Sequence, residues 1–202
     1  MTIRSKTLFR TLRLACLALL LVGFAAQAAE EGSVGLVVKV TGQVSATLNG
    51  TTRSLARGAD VFVGDTLTTS ADGYAQLRLS DGAIIALKAD TIFEISDYSF
   101  QASNGQQDSA TMSLIQGGFR TITGTIGDVN KEAYRVETPF ATIGIRGTDH
   151  LGELTPQGLV AGVFRGGTQL DNPFGTLPLG VDANFDVGLV SDPNSPPVGL
   201  LD

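Results

Sequence analysis

Between Gly32 and Val190 the chain is written in short stretches where apolar and polar residues alternate, each cut by a turn-forming pair. Strand side chains point to opposite faces at every step, whereas helical faces recur every 3.6 residues, so alternation broken at intervals of about ten residues specifies strands. Leu36-Val37-Val38-Lys39-Val40 stops at Thr41-Gly42, and Val44 to Leu48 stops at Asn49-Gly50. Asn-Gly tolerates the positive φ of a two-residue hairpin. Tyr74 to Leu79 places Ala75, Leu77 and Leu79 on one face, and Asp81-Gly82 turns it into Ala83 to Lys88, which reads as a strand buried on both faces. Ile92 to Ile95, Met112 to Ile115, Leu159 to Phe164 and Asp182 to Leu189 continue the series, with Gln101 to Ser109 as an exposed polar loop. Glycine accounts for 25 of 202 residues without a triplet period, which fits frequent turns. No window beyond the first thirty residues carries a sustained helical period. The chain is therefore expected to be all-β: one domain over residues 32–190 and a loose tail over 191–202. An antiparallel sandwich is the preferred arrangement, and a β-helical stack of short turns is the alternative.

The first thirty residues follow another rule. Arg4, Lys6, Arg10 and Arg13 precede an apolar run from Leu14 to Ala26, and Ala26-Gln27-Ala28 offers small residues at a cleavage site. That is the plan of a secretory signal peptide over residues 1–28. The run is 13 residues long, short of the ~20 that span a bilayer. Cys16, the single cysteine, sits at the start of the run, where a lipidation box would need it at the end. The expected product is exported, periplasmic or secreted in a Gram-negative-type envelope, with no cysteine and no transmembrane segment after cleavage. Cleavage removes four of the 14 basic residues and none of the 20 acidic ones, leaving ten against 20. Such a surface repels phosphate backbones, which excludes a nucleic-acid partner.

Catalytic signatures are sparse. One cysteine and one histidine exclude zinc sites of the Cys and multi-His kinds. His150 beside Asp149 suggests a dyad, but there is no G-x-S-x-G elbow, and a single His after a strand reads as a surface or edge residue. Asp182-Ala183-Asn184-Phe185-Asp186 opens like a calcium loop, yet Val187 and Pro193 occupy the positions of its Gly and its closing Glu. That segment reads instead as a strand with Ala183, Phe185 and Val187 inward. Glu132, Glu137 and Glu153 carry no spacing that makes a glycosidase pair. Asn49-Gly50-Thr51 matches a glycosylation sequon but is better explained as a turn. No cofactor, no metal and no enzymatic activity are expected.

One segment is more specific. Thr138-Pro139-Phe140-Ala141-Thr142-Ile143-Gly144-Ile145-Arg146-Gly147-Thr148 resembles the closing motif of the FecR domain family. Gly64-Asp65-Thr66-Leu67-Thr68-Thr69 with Tyr74-Ala75-Gln76-Leu77, then Leu79-Ser80-Asp81-Gly82, then Leu114-Ile115-Gln116-Gly117-Gly118, match its earlier segments in order. The resemblance covers about 60–151. The family's signal transducers resemble a cytoplasmic anti-sigma region and a spanning helix followed by this domain. Here a signal peptide stands in their place, so the iron-signalling role is not expected to carry over. The resemblance implies a stand-alone binding or scaffolding module whose partner is an unknown envelope protein or glycan. The alternative is a periplasmic sensor of a small ligand such as an iron chelate, and a hydrolase of envelope polymers ranks last.

The motif residues Thr138, Pro139, Ala141, Ile143, Gly144, Arg146, Gly147 and Thr148 are expected to be structural. Alternation puts Ala141, Ile143 and Ile145 on one face of a strand and Thr142, Gly144 and Arg146 on the other. Gly144 and Gly147 would admit another backbone or a bulge. Arg146 would be held by Glu137 or Asp149, or else recognise a ligand.

Overall fold

Each turn signal hands the chain from one strand to the next. Asn49 and Gly50 adopt φ of 50° and 77°, joining β2 (Val44–Leu48) to β3 (Thr51–Ser54) with Leu48 opposite Thr51. The structure, a computed structural model, describes residues 32–102, 107–145 and 149–201. The expected signal peptide and Arg146, Gly147 and Thr148 lie outside the described residues.

β1 (Gly35–Thr41) precedes that hairpin, and β4 (Asp60–Val61), β5 (Thr66–Thr69), β6 (Tyr74–Leu79), β7 (Ile84–Leu87), β8 (Ile92–Ser99) and β9 (Ser109–Gln116) follow it. Next come β10 (Gly118–Ile122), a helix α1 (Thr125–Val129), a 3-10 turn at Lys131–Ala133, β11 (Tyr134–Glu137) and β12 (Thr142–Ile145). The chain continues through β13 (Asp149–Thr155), β14 (Gly158–Arg165), β15 (Gly167–Asn172), β16 (Gly175–Gly180), β17 (Val187–Val190) and β18 (Val198–Leu200).

Two nine-stranded sheets result, ordered β18-β17-β14-β13-β10-β7-β6-β1-β4 and β16-β15-β12-β11-β9-β8-β5-β2-β3. Among the described residues every pairing is antiparallel except β9 with β11, which is parallel because β10 and α1 intervene in the chain. The inward side chains of both sheets form one core. Phe93 of β8 meets Phe119 of β10 with ring centroids 5.5 Å apart. A Cβ on Gly152 of β13 would stand 2.8 Å from both Phe119 and Ile143, so the sheets pack closely there.

The preferred sandwich is thus present as two packed sheets, while the strand order advances along both sheets nearly in chain order, as in a stack. The chain climbs by crossing between layers. Gly117 makes one such crossing in a single residue between β9 and β10, at φ 76° and with Asp90 O only 2.6 Å from where a Cβ would be. No L side chain fits that corner.

Four local expectations are corrected. Ile85 and Leu87 are fully buried, but Ile84 and Ala86 are only half-buried, so β7 has a wet face. Residues 181–186 are turns and bends, with Asp182 at φ 63°, and the strand there begins at Val187. The tail expected to be loose carries β18, paired with β17 from Val187↔Leu200 to Leu189↔Val198. A helix does exist, α1, only five residues long, and its Ile126 is buried in the core.

Candidate functional site

The motif strand β12 lies in the second sheet between β11 and β15. Ala141, Ile143 and Ile145 point into the core and Thr142 and Gly144 point outward, as alternation requires. Thr138 sets the strand's entry. Its Oγ1 accepts from the backbone N–H of Phe140 and Ala141 and donates to Ala141 O at 2.7 Å. Thr138 and Pro139 thus build the turn from β11 into β12, a structural role.

Gly144 departs from its expected reason. Nothing in the described residues approaches it closely: a Cβ there would meet the backbone Gln169 O at 3.9 Å, an ordinary contact. Its carbonyl accepts from Thr168 Oγ1. Outward from it opens a groove of about 580 Å³, lined by Lys131, Glu132, Arg135, Thr142, Gln169 and Asp171. Sequence reading named only Thr142 and Glu132 of these lining residues, and Glu132 for another reason, because strand register assembles the groove. Arg135 and Gln169 flank Gly144, and Glu137 and Asp171 flank Thr142. The groove mixes two cations with two carboxylates rather than clustering basic residues.

The carboxylates expected to hold Arg146 hold other arginines. Asp149 receives both Nε and Nη2 of Arg120 at 2.8 Å, and Arg120 also stacks 4.3 Å from the centroid of Phe164. The Arg120 fork, the first cause, keeps the Asp149 carboxyl below its ordinary range. Glu137 accepts from Arg135 Nε at 3.3 Å.

Among the described residues an arginine–carboxylate bridge with a buried carboxylate is present at the segment that resembles the family's opening. Asp65, fully buried, accepts Arg53 Nη1 at 2.7 Å and the Phe62 N–H at 2.9 Å, and Arg53 Nη2 reaches Asp60 O at 3.1 Å. The segment around Asp81 is equally structural. Its Oδ1 accepts from Tyr98 Oη and Ala83 N, and its backbone carbonyl accepts Thr125 N at the start of α1. Burial is the main cause that pushes the Tyr98 phenol up, keeping it a donor.

His150 corrects the expectation of a surface residue. It is completely buried on β13, edge-on to Phe119 with centroids 5.7 Å apart. Burial pushes its pKa down to about 4, against the opposing pull of Asp149. Its neighbour Asp149 is bound to Arg120, so the two do not form an accessible dyad. Glu153 pairs with Lys88 at 2.6 Å on the first sheet, whereas Glu137 lies on the second. Of the residues 182–186, Phe185 lies over Gly199 of β18. Among the described residues no cluster of three His, Cys, Asp or Glu could hold a metal ion, and no helix is long and apolar enough to cross a membrane.

Comparison with known proteins agrees with this geometry. Two crystal structures described as an anti-sigma factor from Parabacteroides distasonis ATCC 8503, at 1.65 Å and 2.50 Å resolution, share the fold with a TM-score of 0.51. They are 15% and 16% identical to this chain, and each match covers 68% of it. The chain spans 59% of the length of those solved chains. No curated protein matches it. The family described as FecR protein matches residues 65–168, more than half of the 202 residues and every motif segment from Asp65 to Thr148. The chain belongs to the FecR family.

Proposed function

We propose that this FecR-family chain is an exported, non-enzymatic binding module of the cell envelope, which takes a protein partner by strand addition at β18. The observation that carries the reading is the open edge itself. Among the described residues β18 pairs with β17 alone, so its other side presents backbone groups that no described strand takes. Val198, Leu200 and Leu201 are exposed there at 48%, 39% and 85%. Exposed apolar side chains beside free ladder positions are what a partner strand uses for affinity and specificity. The opposite edges are built otherwise: β4 has two residues, and β3 is Thr51-Thr52-Arg53-Ser54.

Export rests on the basic start, the short apolar run and Ala26-Gln27-Ala28. Protein recovered from the envelope should begin at Ala29, whereas a retained Met1 in the membrane fraction contradicts export. Val198→Lys and Leu200→Lys place charges on an exposed edge without touching the core. Both variants should keep the parent's unfolding midpoint and lose the partner recovered with the parent chain. Unchanged recovery with either variant contradicts docking at β18. The small-ligand sensor finds less support, because among the described residues the groove at Gly144 sets Lys131 and Arg135 beside Glu132 and Asp171.

A further inference from the structure

The last two strands of the first sheet carry the same three residues. β17 opens with Val187-Gly188-Leu189, and β18 is Val198-Gly199-Leu200. They pair antiparallel, Val187 with Leu200, Gly188 with Gly199 and Leu189 with Val198. The final ladder of the sheet is therefore this triplet laid against a reversed copy of itself. Residues directly opposite in a ladder share a face. The two glycines face inward, Gly188 against Leu170, Leu177 and Leu179, and Gly199 against the Phe185 ring. The valines and leucines share the outer face, half-buried on β17 and exposed on β18.

On β18 those side chains are flanked on one side. Leu189 lies beside Val198 and Val187 beside Leu200, and among the described residues no strand supplies the other flank. A second β18 running antiparallel supplies it. A two-fold axis at Gly199 sets Val198 opposite Leu200 of the second copy and Gly199 opposite Gly199, repeating the register that β17 and β18 already use. Two apolar rows of alternating Leu and Val, each four residues long, then cross the joint.

The second sheet fits the same axis. Its edge strand β16 lies beneath these strands, with Leu177 and Leu179 from its middle against Gly188. Exposed Phe174 and Val181 stand just before and just after β16. The two-fold brings the Phe174 end of one copy beside the Val181 end of the other. Pro178 takes an N–H out of that edge, so contact there is through side chains. The opposite end of the sandwich, with two-residue β4 and the polar β3, offers no such surface. Joining like end to like end closes at two copies.

We propose that the occupant of the β18 edge is a second copy of this chain, joined about a two-fold axis at Gly199. The proposal rests on the reading of β18 as the docking edge and names the partner there.

The test is sedimentation of the exported chain over a range of concentrations, beside Val198→Lys, Leu200→Glu and an equal mixture of the two. The parent should pass from monomer to dimer and go no further. Each variant alone sets a charge against an apolar side chain and should weaken dimerisation at least tenfold, with its unfolding midpoint unchanged. Their mixture should recover it, because the two new charges are opposite in sign and face each other across the joint. Should either variant unfold early, disulfide trapping between Val198→Cys and Leu200→Cys chains decides: a cross-link in the mixture supports the register, and none overturns it. A parent that stays monomeric up to about 1 mM, growth beyond dimers, or dimers indifferent to both charges overturns the proposal. A monomeric parent that still loses a different envelope protein on Val198→Lys overturns it while leaving docking at β18 standing.

Discussion

Two neighbouring side chains on β13 should give this domain two separate acid transitions. His150 is buried, and its pKa falls to about 4 from an ordinary 6.5. Below 6.5 the unfolded chain takes up a proton that the folded chain refuses. Stability therefore drops as pH falls from 6.5 to 4 and levels off below, by about 3 kcal/mol in all. Asp149 runs lower. Arg120 holds its carboxyl below the usual range, so its contribution is full above the ordinary carboxylate pKa and disappears only as pH falls below about 4. Urea midpoints between pH 3 and 7 should show both windows, and His150→Leu should flatten the upper one alone. A His150→Leu slope identical to the parent's between pH 6.5 and 4 contradicts this assignment. Asp65 is the other residue where a single change should be felt. Asp65→Ala strands Arg53 and the Phe62 N–H, and because Arg53 is 33% exposed the loss should be about 2–3 kcal/mol, below that of a fully buried pair. Thermal unfolding measures it, and a loss under about 0.5 kcal/mol would show that the bridge is only a surface pair.

At the scale of elements, glycines with different reasons should answer differently to substitution. Gly117→Ala forces a side chain into positive φ against Asp90 O and should cost at least about 2 kcal/mol. Gly152→Val overpacks Phe119 and Ile143 between the sheets, for about 1–3 kcal/mol. Equal midpoints for Gly117→Ala and the parent would contradict the crossing between β9 and β10. Most strands were legible in sequence, because Ala75, Leu77 and Leu79 or Ala141, Ile143 and Ile145 alternate cleanly against polar neighbours. α1 was not, since five residues make little more than one turn and leave no period to detect. The segment 181–186 misled for a related reason: Ala183 and Phe185 alternate like a strand, but Phe185 packs across β18 from a turn. β18 itself, Val-Gly-Leu, is too short to announce a partner strand.

The domain from residue 32 onward is a sandwich that grows along its length, and that growth decides where it can bind. Nine strands per sheet make each layer roughly 40 Å long in the hydrogen-bonding direction. Among the described residues the edges lie at the two ends of each sheet, and the β18 edge carries exposed Val198 and Leu200. The groove at Gly144 was illegible in sequence because its lining comes from β11, β12, β15 and a 3-10 turn, brought together by register and not by spacing. The open edge was legible only as a kind of site, since which strand ends a sheet is a property of topology. Docking at that edge is the central claim, and site-specific photo-crosslinking in the cell envelope tests it most directly. A photoreactive residue at Leu200 should give one discrete adduct with a partner protein. The same probe at Thr52, on the opposite edge strand β3, should give none, and Val198→Lys should abolish the Leu200 adduct. Adducts from Thr52 but not Leu200, or a Leu200 adduct that survives Val198→Lys, would contradict it.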